Sequence, residues 1–174
     1  MDGHQIIVIE DSDDDMSDGF CSNGLKLIIN RAPKVLSRPR FHRGGIGNKE
    51  SKEQKECKIS IINQLTEMTI WPDDCCPLEE PLSVTIRLYI ARPLKDFTNG
   101  QRSGGLKSTI TNWYRRPKKC GDIDNYAKLY LDVMNGTVYK DDSQIYHLEM
   151  FLLPDDGGPG RVEIDVKGWR PGRI

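Results

Sequence analysis

No run of apolar residues in this chain approaches the roughly 20 that a bilayer-spanning helix requires, and the N-terminus lacks the basic stretch and apolar core of a secretory leader. Metal-binding and disulfide patterns are equally scarce. The five cysteines, Cys21, Cys57, Cys75, Cys76 and Cys120, are odd in number and form no Cys-x-x-Cys pair, and His4, His42 and His147 complete no zinc pattern. A calcium loop counted from Asp11 fails as well, because Met16 stands where the turn needs glycine and Ser22 where it needs glutamate. There is no internal repeat. These absences argue against a structural zinc site and a disulfide scaffold, and the expectation is a soluble, intracellular protein with reduced thiols.

What the chain does have is a hidden charge division. Its 174 residues carry 25 Lys and Arg against 26 Asp and Glu, a net charge of −1. Residues 1–20 hold Asp2, Glu10, Asp11, Asp13, Asp14, Asp15 and Asp18 and no Lys or Arg, so this tail carries −7 and the remaining residues 21–174 carry +6. An acidic tail therefore masks a basic body, and a basic body suits a nucleic-acid partner. The length fits one domain with its own core, expected over residues 23–170 behind a disordered tail at 1–22.

Periodicity supplies the elements. Leu25, Leu27 and Ile29 alternate within 24–30, and Leu82, Val84, Ile86, Leu88 and Ile90 alternate within 82–91, each predicting a half-buried strand. Between them, Ile61, Ile62, Leu65, Met68 and Thr69 recur at helical spacing, predicting a first helix over 49–70 that ends before Pro72. Ile123, Ala127, Tyr130, Leu131 and Met134 trace one face of a second helix stopped by Asn135-Gly136. Tyr146, Leu148, Met150 and Leu152 mark a third strand, and Val162, Ile164 and Val166 a fourth, joined across a Pro- and Gly-rich turn at 154–160. The order strand, helix, strand, helix, strand, strand predicts a compact α+β domain, a small mixed sheet packed with two main helices.

Two basic segments punctuate this order. Residues 31–43 carry Arg38, Arg40 and Arg43 among five bases without an acid. Residues 92–119 hold eight bases against Asp96 alone, including Arg115, Arg116, Lys118 and Lys119, with Trp113 and Tyr114 interleaved. Such loops suit contact with a phosphate backbone and stacking on bases, though a long solvated insertion has the same composition.

Immediately after the second basic loop come the carboxylates. Asp122 and Asp124 sit two apart, which puts both on one side of an extended chain, and Lys128 and Asp132 follow Asp124 at intervals of four on one helical stripe. Asp141 and Asp142 stand in a short connection that a fold can return to the helix. Converging carboxylates repel unless a cation neutralises them, and Mg²⁺, with Mn²⁺ able to substitute, is satisfied by two or three carboxylates plus phosphate oxygens. Asp and Asn at a helix start are equally common as caps, and Asp-Asp-Ser is ordinary turn chemistry.

The stretch Gly121-Asp-Ile-Asp-Asn-Tyr-Ala-Lys128, running on through Asn135-Gly136 to Asp141-Asp142-Ser143-Gln144-Ile145, resembles the signature of the RusA-type Holliday-junction resolvases. Ser37-Arg38-Pro39-Arg40 is similar to the family's early basic segment, while Cys120-Gly121 departs from the usual proline before the first aspartate. The resemblance implies a Mg²⁺-dependent endodeoxyribonuclease that resolves four-way junctions in recombination and repair. It further implies that Asp122, Asp124 and Asp142 are catalytic metal ligands, with Asp141 and Asp132 in support, that Lys128 is the catalytic lysine, and that the enzyme is a homodimer on branched DNA. Two other classes stay open: a non-catalytic branched-DNA-binding protein and a Mg²⁺-dependent hydrolase of another phosphate ester.

In the tail, Ile6-Ile7-Val8-Ile9 followed by Glu10-Asp11-Ser12-Asp13-Asp14-Asp15 resembles a SUMO-interaction motif, a β-prone strand that adds to a partner's sheet edge with acids alongside. That resemblance implies recruitment by SUMO or SUMO-conjugated proteins in a nuclear setting.

Overall fold

A computed structural model of the protein describes residues 24–35, 52–67, 77–109 and 121–169. Its elements are β1 (Leu25–Ile29), α1 (Lys52–Glu67), β2 (Leu82–Ala91), α2 (Ile123–Met134), β3 (Ile145–Asp155) and β4 (Arg161–Gly168), with short 3-10 turns between β2 and α2 and before β3. The strands form one mixed sheet in the order β1-β4-β2-β3, antiparallel except for the parallel pair β2 and β3. No helix among the described residues is long and apolar enough to cross a membrane.

Period-two alternation is realised as expected in three strands. The buried rows are Leu25, Leu27 and Ile29 of β1, Leu82, Val84, Ile86, Leu88 and Ile90 of β2, and Val162, Ile164 and Val166 of β4. Register aligns them: Ile86 faces Ile164, and Leu27 faces Ile164 from the other side. Both helices belong to the same core, each buried branched side chain contributing about 2 kcal/mol.

The helices depart from expectation in their facing. On α2 the buried residues are Tyr126, Leu129, Tyr130, Val133 and Met134, a stripe at spacings of three and four, while Ile123 is exposed and Ala127 and Leu131 are half-buried. Ile123 sits in the first turn, before the helix has reached the sheet, so an apolar stripe counted from it is rotated off the core. On α1 the buried residues are Cys57, Ile61 and Gln64, and Ile62 is exposed instead of inside. The expected ends of α1 at 49–51 and 68–70 lie outside the described residues.

Gln64 is the polar member of this core because β1 is the sheet's edge. Its side-chain amide receives the Ile28 N–H at 2.8 Å and donates to the Ile28 carbonyl at 2.7 Å, supplying the pair of bonds a further strand would have made. At the opposite edge, no strand among the described residues pairs with the outer side of β3. Leu148, Met150 and Leu152 lie opposite Val84, Ile86 and Leu88, as the alternation predicts, yet Leu148 is still exposed. Tyr146 leaves that row altogether. Ile145 pairs with Leu82 and His147 with Ser83, so Tyr146 is the extra residue of a β-bulge.

The parallel pairing of β2 and β3 decides where the loops lie. Leu82 pairs with Ile145 and Ala91 with Asp155, so the extension after β2 starts about 30 Å along the sheet from the start of β3. Its described part, 92–109, is folded around Phe97, which is fully buried and bridges to Leu106. Two of its bases serve that local structure: buried Arg92 is paired with Asp156, and the Arg102 guanidinium lies 6.0 Å from the Phe97 ring centroid. At the same end, buried Asp155 accepts the N–H groups of Gly158 (2.8 Å) and Gly160 (2.9 Å) and so fixes the turn into β4.

Candidate active site

The N-terminus of α2 follows directly from its sequence. Asp122 has extended backbone angles and its carbonyl accepts the N–H groups of Asn125 (3.1 Å) and Tyr126 (3.3 Å), which makes it the residue before the first turn. Its carboxylate does not cap the helix. Gly121 in front of it packs against Val35: a Cβ there would stand 2.1 Å from a Val35 methyl, so the missing proline leaves room for the chain emerging from β1. Asp124 lies in the first turn, where the positive end of the helix dipole favours a carboxylate.

Asp124, Lys128 and Asp132 are all exposed along α2, one turn apart. Partial desolvation against the helix surface pushes the Asp132 carboxyl up from its ordinary range although its tip stays in solvent; the Lys128 ammonium pulls it down and the Asp142 carboxylate adds to the rise. Asp132 therefore feels both the lysine of its own helix and the aspartate of the following turn. Asp124 is two helical turns from Asp132, about 12 Å along the axis.

The turn bearing Asp142 is held by its neighbours rather than by itself. Asp141 is a capping residue: its carboxylate accepts the Ser143 N–H at 2.9 Å, and its own N–H donates to the Gln144 side chain at 2.8 Å. Hydrogen bonds from Ser143 keep the Asp141 carboxyl below its usual range. The Gln144 amide nitrogen then donates to the carbonyls of Leu78 (2.9 Å) and Glu80 (3.0 Å), tying the turn to the segment that enters β2. Behind the turn lies buried Tyr139, bridged to Leu78 and Asn135, whose hydroxyl donates to the Leu131 carbonyl at 2.8 Å. Burial raises the Tyr139 hydroxyl's pKa, and the Asp142, Asp132 and Asp141 carboxylates raise it further. Of the two adjacent acids, Asp141 thus has a capping task, and Asp142 is exposed beside α2.

The structure brings together Lys128, Asp132 and Asp142 electrostatically and sets Asp122 and Asp124 at the helix mouth. Among the described residues no three His, Cys, Asp or Glu side chains gather into a group that could hold a metal ion. The donor chemistry itself suits a hard divalent cation, which prefers carboxylate and phosphate oxygens. Arg38, Arg40, Arg43, Arg115, Arg116, Lys118 and Lys119 lie outside the described residues, as do Ile6, Ile7, Val8 and Ile9. Sequence reasoning missed Gln144 and Tyr139. The signal for Gln144 was present, since Asp141-x-x-Gln144 has the spacing of a capping box.

Comparison with known proteins gives the chain's relatives. The family model described as endodeoxyribonuclease RusA matches residues 32–167, well over half of the chain. A curated relative, the uncharacterized protein YqaN of Bacillus subtilis strain 168, is 33% identical over 151 residues, covering 82% of this chain and 95% of that protein.

Proposed function

The chain belongs to the RusA endodeoxyribonuclease family, and on that premise we propose that it is a divalent-cation-dependent nuclease that cuts phosphodiesters at four-way DNA junctions. The observation that carries this reading is the exposed stripe Asp124, Lys128, Asp132 on α2, with Asp122 at its start and Asp142 in electrostatic reach of its far end. In this reading Asp122, Asp124 and Asp142 provide oxygen ligands, two carboxylates with phosphate oxygens being enough for Mg²⁺ or Mn²⁺. The cation would supply a water of lowered pKa and polarise the phosphate. Lys128 lies one helical turn from Asp124 and from Asp132, and it serves the negative charge that develops on the phosphate during attack. Asp141 and Gln144 keep the Asp142 turn in place. Arg38, Arg40, Arg43, Arg115, Arg116, Lys118 and Lys119 are assigned to the DNA backbone, where their charge raises affinity without reading sequence. Because a four-way junction is two-fold symmetric, the working form is taken as a two-fold homodimer.

The test is cleavage of a synthetic four-way junction and of a linear duplex by the full chain, with and without Mg²⁺. Wild-type protein should nick the junction in a Mg²⁺-dependent way, and Asp142→Asn should abolish nicking while still binding. Wild-type-like cutting by Asp142→Asn rejects the ligand assignment. Junction binding with no cutting under any divalent metal instead favours a non-catalytic branched-DNA-binding protein, and equal attack on branched and linear substrates a less selective phosphate-ester hydrolase.

For recruitment, the reading assigns Ile6–Ile9 and the following acids to SUMO, with nuclear action as the consequence. Capture on immobilised SUMO should fall at least about tenfold for Ile7→Ala/Val8→Ala, the effect of losing two edge-strand anchors; undiminished capture removes the assignment.

A further inference from the structure

Four residues beyond Asp142, Tyr146 is thrown out of the β3 row by the bulge and stacks on Trp169, with ring centroids 5.0 Å apart and planes at 20°. Trp169 is fixed just past β4 by its backbone N–H, which donates to the Pro81 carbonyl at 2.8 Å. Both aromatics therefore sit at the end of the sheet where β3 begins and where the Asp142 turn enters it. Tyr146 is nonetheless 63% exposed, more than any other large apolar or aromatic side chain among the described residues. A tyrosine placed only to cover its neighbour would not keep most of its surface in water. The bulge is a costly way to expose a ring, since the extra residue leaves the ladder unpaired, and such insertions are used to re-aim side chains beside functional sites.

Behind the bulge, His147 and Lys167 flank Ser83 on the strands either side, in the second row of the sheet. His147 is tied to the Ser83 hydroxyl at 2.9 Å. A flat ring stacked on one neighbour and still largely exposed matches a nucleobase that has left its helical stack. Four residues of chain reach at most about 14 Å, which is about four nucleotide steps of a DNA strand. At the branch point of a junction the continuous stack of a duplex is interrupted, so a base is displaced there at less cost than from intact duplex.

We infer that Tyr146, backed by Trp169, is a stacking platform for an unpaired nucleobase at the branch point. This rests on the reading of the chain as a junction nuclease, and it adds the group by which branched DNA is told from linear DNA.

The experiment is done in metal-free buffer with the full chain, so that binding is read without cutting. Kd is measured for a four-way junction and for a duplex of equal length, and junctions carrying 5-iodouracil at each branch-point position are photo-crosslinked and the adduct mapped by mass spectrometry. The expected result is an adduct on Tyr146, with the junction-over-duplex preference reduced about tenfold in Tyr146→Ala and kept in Tyr146→Phe, the loss of one stacked base. Circular dichroism of each variant establishes that it is folded. An unchanged preference in folded Tyr146→Ala, or adducts confined to other residues, overturns the platform and leaves the nuclease reading standing. Failure of wild-type protein to prefer the junction at all overturns both.

Discussion

Replacing Gln144 by alanine tests whether the Asp142 turn is held from outside. The side chain makes three hydrogen bonds: it accepts from the Asp141 N–H in solvent and donates to the partly buried carbonyls of Leu78 and Glu80. At about 1 kcal/mol net for each bond, truncation should cost about 2–3 kcal/mol. The lower end is favoured because the Leu78 carbonyl keeps its bond from the Lys140 N–H at 3.1 Å. For a chain of this size that is a fall in Tm of about 4–12 °C, read by circular dichroism. Gln144→Glu sharpens the test, because it preserves size and the acceptor but turns a carboxylate toward two carbonyl oxygens. That repulsion disfavours the charged form, so the introduced carboxyl is protonated more readily in the folded chain than in the unfolded one. Its contribution is then fully present below the ordinary glutamate range and lost as pH rises from there through the raised folded-state value, making Gln144→Glu the less stable variant at pH 7.5 and narrowing the gap at acid pH. Melting of Gln144→Ala within about 1 °C of wild type, or a pH-independent Gln144→Glu, refutes the clamp.

Lys128→Ala should bind junctions as wild type does and cut them at least about 100-fold more slowly, as loss of one charge-stabilising group does; loss of binding without loss of rate would make Lys128 an anchor instead. Gln64→Leu should destabilise the fold by about 2–4 kcal/mol in urea titrations, since it strands the Ile28 N–H and carbonyl at a covered edge; a neutral outcome would mean that water replaces the amide. The hydroxyls of Tyr130 and Tyr139 have raised pKa values, mainly through burial. Both favour the protonated form when folded, so their contribution is intact below about pH 10 and lost as pH rises further. Ultraviolet titration should show at least two of the six tyrosines ionising only with unfolding, and six ionising together in native protein would contradict the burial.

The sheet was legible because its signal is local. Leu82, Val84, Ile86, Leu88 and Ile90 fix β2 by alternation alone, and the register with β4 follows from the same rule. The helix faces were less so. Apolar residues cover more of α2 than the sheet can bury, and only tertiary contact decides that Tyr126, Leu129 and Val133 point inward while Ile123 does not. Gln64 occupies a core position for a reason no periodicity carries, the unpaired backbone of a strand more than thirty residues away. Alternation counted from Tyr146 also misled, because a one-residue bulge reverses the face of everything before it. In the site, the spacing of Asp122, Asp124, Lys128 and Asp132 was visible in the sequence. The division of labour between Asp141 and Asp142 was not, because it depends on bonds among Asp141, Ser143 and Gln144 that only the folded turn makes.

The amide that Gln64 lays along Ile28 also makes the two edges of the sheet unlike each other. At β1 the outward N–H and carbonyl of Ile28 are taken, whereas among the described residues no strand pairs with the outer side of β3. A strand arriving at Ile28 would have to displace that amide. A single buried glutamine thereby disfavours, on the β1 side, the edge-to-edge pairing by which exposed strands grow into fibres.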